Sequence, residues 1–178
     1  MSMIGLKVGL ECARLLGSID VPGKKTPLDE MHVTIVYLGD ETPITTITKI
    51  ISSTYRVTQK RTPFTLKVNK VTCFPNKGPE GYPIIARVMS PELHDFHTDI
   101  TGSLDKAKIE YSKLYPEYKP HVTLAYSDEP IGSIILENPI EFAAHEATLW
   151  AGDHGSDRLS ATFPFVIGPC RKSRKKAA

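Results

Sequence analysis

The sequence predicts an α+β chain made of two half-copies folded around a central groove, on three observations. The string His32-Val33-Thr34-Ile35-Val36-Tyr37 recurs as His121-Val122-Thr123-Leu124-Ala125-Tyr126. Each copy alternates functional and apolar residues, the period of a half-buried strand. Strand–helix–strand patterning surrounds each copy, so one scheme is written twice. A length of 178 residues allows one compact core, or two small lobes sharing one, but hardly two independent domains. Residues 1–170 are therefore read as a single domain and 171–178 as a disordered basic tail.

Along the chain, residues 4–10 alternate as a strand and 11–16 continue as a short helix. Residues 18–30, rich in Pro, Gly and charge, read as a loop before the first motif strand at 32–38. Thr42 is the expected N-cap and Pro43 the first-turn residue of a helix carrying Ile44, Ile47, Ile50 and Ile51 at helical spacing. Residues 63–74 alternate Phe64, Leu66, Val68 and Val71 with polar residues, and 75–81 form a turn into a strand at 82–89. Ser90-Pro91-Glu92 opens a helix with Leu93, Phe96, Ile100 and Leu104 inward. A Tyr/Pro-rich loop, 111–120, leads into the second motif strand at 121–126. Residues 140–150 and 160–167 read as paired strands around a turn at 151–158.

Composition is that of an ordinary soluble globular chain, and cytoplasmic localisation is expected. No apolar run approaches the ~18 residues of a membrane span, and the N-terminus lacks the pattern of a signal peptide. Cys12, Cys73 and Cys170 are scattered, without metal-ligand spacing, and read as reduced thiols. Much of the net charge of +2 lies in Arg171-Lys172-Ser173-Arg174-Lys175-Lys176, without which the body is mildly acidic. No nucleic-acid-coating surface and no obligate protein partner is expected.

On a strand, an imidazole and a hydroxyl two residues later share one face. Two such pairs across a cleft suit phosphodiester chemistry, in which one group deprotonates the attacking oxygen and another protonates the leaving oxygen. Histidine suits both tasks, with an ordinary pKa of about 6.5. Thr34 and Thr123 would donate to the non-bridging oxygens. The catalytic set is thus read as His32, Thr34, His121 and Thr123. His-x-Thr is not a ligand spacing and neither motif strand carries a carboxylate, so no metal and no cofactor is expected. A Gly-x-Ser-x-Gly turn and a phosphate-binding Gly-rich loop are both lacking. Which histidine is base is left open by two near-identical motifs.

The paired His-Val-Thr-aliphatic strings, half a chain apart, resemble the signature of the 2H phosphoesterase superfamily. That group includes LigT-like RNA 2′,3′-cyclic phosphodiesterases and phage enzymes that destroy cyclic-nucleotide immune signals. The resemblance covers most of residues 4–166. It extends to Thr26-Pro27-Leu28-Asp29-Glu30-Met31, Ser90-Pro91-Glu92-Leu93 and Tyr115-Pro116-Glu117-Tyr118-Lys119-Pro120. The closing Leu149-Trp150-Ala151-Gly152-Asp153 and Thr162-Phe163-Pro164-Phe165 are similar to the ends of small phage members. The resemblance implies a bilobal α+β fold, with pseudo-symmetric lobes of antiparallel sheet flanked by helices. It also implies a metal-independent site in the groove, onto which His32, Thr34, His121 and Thr123 carry over. Its substrates would be cyclic or oligomeric ribonucleotides opened by a ribose 2′-OH, with RNA 2′,3′-cyclic phosphate ends or 2′-5′ linkages as alternatives. A reading from another class is a module that only grips RNA or a nucleotide.

Other residues carry weaker expectations. Lys7, Lys119 and Trp150 are the remaining candidates for substrate contact. Lys24 and Lys25 lie near the motifs in sequence, with no direction defined. Trp150 fits core or seam packing as well as base stacking. Tyr37 and Tyr126, five residues from each His, fall on the opposite strand face and read as core. His94 and His97 lie on a helix, and His145, Glu146, His154 and Arg158 surround the last hairpin; all six read as solvated or locally bonded.

Overall fold

Strand alternation and helical spacing resolve into an antiparallel sheet with three helices packed against one face. The computed structural model describes residues 1–40, 42–114, 117–152 and 159–167. The elements are β1 (Ser2–Lys7), α1 (Leu10–Gly17), β2 (Lys24–Lys25), β3 (His32–Gly39), α2 (Ile44–Thr58), β4 (Phe64–Cys73) and β5 (Tyr82–Met89), followed by α3 (Pro91–Lys106), β6 (His121–Ser127), β7 (Ile134–Ala144), β8 (Glu146–Ala151) and β9 (Leu159–Pro164). A short 3-10 turn, Leu28–Glu30, precedes β3. Among the described residues the strand order is β7-β4-β5-β6-β3-β1-β8-β9, with β2 paired to β6. The two motif strands, β3 and β6, are the middle neighbours. Outward from them, β1–α1–β3 and β5–α3–β6 repeat one arrangement: a strand, a helix, then a motif strand beside the first strand. This is the expected mixed α+β architecture of two half-copies.

Helical spacing decides what each helix buries. In α3 the inward residues are Leu93, Phe96, Ile100 and Leu104, at i, i+3, i+7 and i+11. Phe96 packs against Phe165 and Phe64, with ring centroids 5.3 and 6.2 Å away. Helix α2 buries Ile47 and Ile50 but leaves Ile44 exposed. Pro43, rather than Thr42, is its cap residue, with no side-chain capping bond. The Thr42 hydroxyl is buried without a hydrogen-bond partner among the described residues. Thr42 therefore does not cap the helix as its sequence position predicts.

Three local departures shape the sheet. Val71 follows Val68 inward because the β4–β5 and β4–β7 registers shift between Val68 and Lys70. Residues 18–30 are not all loop, since Lys24 and Lys25 pair with Tyr126 and Ala125. Residues 140–150 are not one strand. Ala144 pairs with Phe64 in β4, whereas Glu146 pairs with Pro164 in β9. Strands β7 and β8 stand towards opposite ends of the strand order yet are separated only by His145. The sheet therefore curls until its far ends meet. There the Phe165 N–H donates to the His145 carbonyl (2.7 Å) and the Val166 N–H to that of Arg61 (2.8 Å). The basic tail, Cys170, His154 and Arg158 lie outside the described residues. No described helix is long and apolar enough to cross a membrane.

Candidate active site

The face of the sheet opposite the helices carries the candidate site, and the two motif strands meet there at a single register pair. Val33 pairs with Val122, the one register pair between β3 and β6. Both valines are fully buried in the main core, so their sequence neighbours His32, Thr34, His121 and Thr123 project to the other face. All four are half-buried. The antiparallel sense sets position 32 towards 123 and 34 towards 121. The expected catalytic set is thus brought together across the seam.

Both histidines are held alike. His32 Nδ1 lies 2.7 Å from the Glu30 carbonyl oxygen, and His121 Nδ1 lies 2.7 Å from that of Lys119. A carbonyl only accepts, so each Nδ1 carries the proton and donates it, which leaves Nε2 of a neutral ring as base. Burial lowers the His121 pKa below its ordinary value, the bond to the Lys119 carbonyl raises it, and the charge of nearby His32 lowers it further, with a net downward shift. The two imidazoles therefore sense each other, and a second positive charge is disfavoured.

Each half-site carries a cation and an aromatic ring. Lys7 lies directly opposite His32 across the β1–β3 ladder, and Arg87 directly opposite His121 across β5–β6. Opposed residues in an antiparallel pair share a face, so the two cations are pseudo-symmetric mates on the site side. Lys70 pairs with Arg87 one strand further out, and Lys24 pairs with Tyr126. The Trp150 ring is 5.5 Å from that of His32, tilted by 54°. Phe74 meets His121 edge-on at 4.8 Å and 88°. Met3 and Ile85 are buried on the site side, outside the main core, and the Thr34 hydroxyl approaches the Met3 sulfur at 3.7 Å.

The two tyrosines of the repeat overturn the expectation from strict alternation. In β3, Gly5 pairs with Thr34 but Ile4 pairs with Val36, so Ile35 is an extra residue. In β6, Ile85 pairs with Thr123 but Ile84 with Ala125, so Leu124 is extra. Each is a β-bulge, which adds a residue and reverses the strand phase. Ile35-Val36 and Leu124-Ala125 are consecutively buried, and Tyr37 and Tyr126 return, half-buried, to the face of the histidines. The apolar doublet inside each motif was the available signal. Tyr37 donates to Asp40 at 2.6 Å, and its pKa is pushed up to about 12, chiefly by that carboxylate bond. Burial first, then the Glu80 charge, raises that of Tyr126.

Of the other residues expected to contact substrate, Trp150 packs beside the His32 ring and Lys7 stands opposite His32 in the β1–β3 register. The Lys119 ammonium is 3.1 Å from the Glu117 carboxylate, so its place in the site is through its carbonyl. Lys25 turns away and donates to the Ile19 carbonyl at 2.5 Å. His94 and His97 pack locally on Tyr118. Arg87, Lys70 and Phe74 have no motif to mark them, since strand register recruits the two cations and a ring contact with His121 recruits Phe74. Among the described residues, no group of three or more His, Cys, Asp or Glu is placed to hold a metal ion.

Comparison with known proteins agrees with this fold. TT0787 of Thermus thermophilus superposes with a TM-score of 0.75 at 16% identity, covering 92% of this chain and 97% of that one. E. coli LigT complexed with 3′-AMP gives a TM-score of 0.68 at 15% identity, covering 93% and 94%. The complex of LigT with NADP+ gives 0.67 at 15% identity, also covering 93% and 94%. A search of curated proteins finds no match. The family model described as "2'-5' RNA ligase superfamily" matches residues 22–156. With its two His-x-Thr strands joined at one seam, the chain belongs to the 2′-5′ RNA ligase (2H phosphoesterase) superfamily of phosphodiesterase-type enzymes.

Proposed function

We propose that this enzyme cleaves cyclic or oligomeric ribonucleotides without a metal, using His121 as general base and His32 as general acid. The observation that carries the reading is the matched tethering of the two imidazoles by carbonyls two residues upstream. Binding alone has no need of two proton carriers with the same fixed tautomer. His121, whose neutral form burial favours, takes the proton of a ribose 2′-OH through Nε2. The 2′-oxygen attacks phosphorus, the bond to the leaving 5′-oxygen breaks, and protonated His32 gives that oxygen its proton. The products are a 2′,3′-cyclic phosphate and a free 5′-hydroxyl. Water can then open the cyclic phosphate, with the imidazole roles exchanged. Thr34 and Thr123 donate to the non-bridging oxygens, and Lys7 and Arg87 offset the charge there.

One aromatic wall on each side, Trp150 by His32 and Phe74 by His121, matches a substrate with a base on each side of the scissile phosphate. Cyclic di- and trinucleotides have that shape. A role against cyclic-nucleotide immune signals, and a phage origin, rest on the resemblance of the flanking segments. A second reading, 2′,3′-cyclic phosphate ends or 2′-5′ linkages of RNA, is favoured by the family match and by the 3′-AMP complex of LigT.

The test is incubation in EDTA with cyclic dinucleotides, cyclic trinucleotides, 2′-5′ oligoadenylate and 2′,3′-cyclic mononucleotides, followed by product analysis. Turnover of a cyclic oligonucleotide is expected, with losses of at least ~100-fold in His32→Ala and His121→Ala. Turnover of only the last two substrates would select the second reading. Binding of the panel without turnover would identify a binding module, and undiminished turnover in both variants would sink the site assignment.

A further inference from the structure

Tyr118 joins the two half-sites at the place where the sheet ceases to do so. Beyond the Val33–Val122 pair, β3 and β6 separate. The Val33 carbonyl lies towards β1, 2.8 Å from where a Cβ on Gly5 would stand. Successive carbonyls of a strand alternate in direction, so that of Thr34 faces the seam. The Tyr118 hydroxyl donates to it at 3.1 Å.

The same short segment sets the other motif. Lys119 provides the carbonyl that holds His121 Nδ1 at 2.7 Å, and the Pro120 carbonyl accepts from the Val88 N–H at 3.0 Å. The Tyr118 ring is clamped from α3. His97 stacks on it at 4.1 Å and 7°, and His94 meets it edge-on at 5.4 Å and 77°. Burial first, then the neighbouring His94 charge, lowers the His97 pKa, which favours the neutral form of the stacked imidazole.

We propose that Tyr118 is a positioning residue that couples the Thr34 strand to the His121 strand, so that both half-sites hold one geometry on the reacting phosphate. This rests on the two His-x-Thr pairs being the catalytic set. Removing the hydroxyl leaves the ring and its stack in place but frees the Thr34 carbonyl, so the Thr34 side chain loses its fixed direction relative to His121. The expected effect falls on kcat, because both groups act most strongly in the transition state.

Tyr118→Phe tests this directly. Relative to wild type, kcat should fall about tenfold, the scale of one lost hydrogen bond, with KM within about twofold. Tyr55→Phe, an exposed tyrosine of α2, should change neither. Backbone amide NMR of Tyr118→Phe, which needs no substrate, should show shifts at Val33 and Ile35 as well as at 119–123. Wild-type kcat in Tyr118→Phe, or amide changes confined to 117–120 and α3, would overturn the proposal. If wild-type enzyme turns over no member of the panel, the functional reading fails, and the NMR result alone decides the coupling.

Discussion

Val33 and Val122 form the one backbone pair between the two motif strands, and each is flanked by a His and a Thr of the site. A fully buried valine in each motif therefore lies beneath the candidate site. Fully buried valines fix the strand faces, and the residues on either side have no choice but the groove. Everything else in the site follows from what those strands have for neighbours.

The lowered His121 pKa makes a pH prediction. A general base must be neutral, and a lowered pKa keeps it neutral further into acid. The acidic limb of kcat/KM should therefore have its apparent midpoint below the ordinary imidazole value of about 6.5. Rate profiles across pH 4–9 on a cleaved substrate check this. A midpoint at or above 6.5 would count against His121 as base.

Lys7 and Arg87 are matched across the seam, so their neutralisation should have matched effects. Lys7→Met and Arg87→Met should each lower kcat/KM roughly tenfold at low salt, with a shallower dependence on salt than wild type. Both His-x-Thr pairs remain in these variants. Equal kinetics of variants and wild type across a salt series would remove the cations from the site.

Gly5 leaves room for Trp150 beside His32. A Cβ there would stand 2.8 Å from the Val33 carbonyl oxygen and 2.9 Å from the Trp150 ring. Gly5→Ala should cost about 1–3 kcal/mol in stability and reduce turnover more than its folded fraction accounts for. Gly102→Ala, in α3 with nothing near its Cβ position, should instead stabilise by about 0.5–1 kcal/mol. Chemical denaturation of the two variants side by side gives the comparison.

Phe96 is fully buried between Phe64 and Phe165, where the curled ends of the sheet meet. Phe96→Ala should destabilise by about 3–5 kcal/mol through lost transfer energy and a residual cavity. The midpoint of a denaturation curve should shift accordingly. An unshifted midpoint would mean that this cluster is not holding the far ends together.

Much of this was legible because it is local. The four inward residues of α3 follow from helical spacing, and the His-Thr pairs follow from strand alternation. Tyr37 and Tyr126 escape strand alternation because a bulge changes strand phase, and its only trace in the sequence is an apolar doublet. Residues 140–150 looked like one strand because both parts are extended. Their separation at His145 depends on which partners each half finds.

Local spacing dictates the α+β class, most element positions and the four residues of the doubled motif, since side-chain periodicity is a property of neighbouring residues. Long-range packing selects what surrounds them. Arg87 beside His121, Trp150 beside His32, the tautomers set by the Glu30 and Lys119 carbonyls, and Tyr118 on Thr34 all join residues through register and curl. Those contacts arise only when strands distant in sequence settle against one another, because packing rather than local spacing selects them.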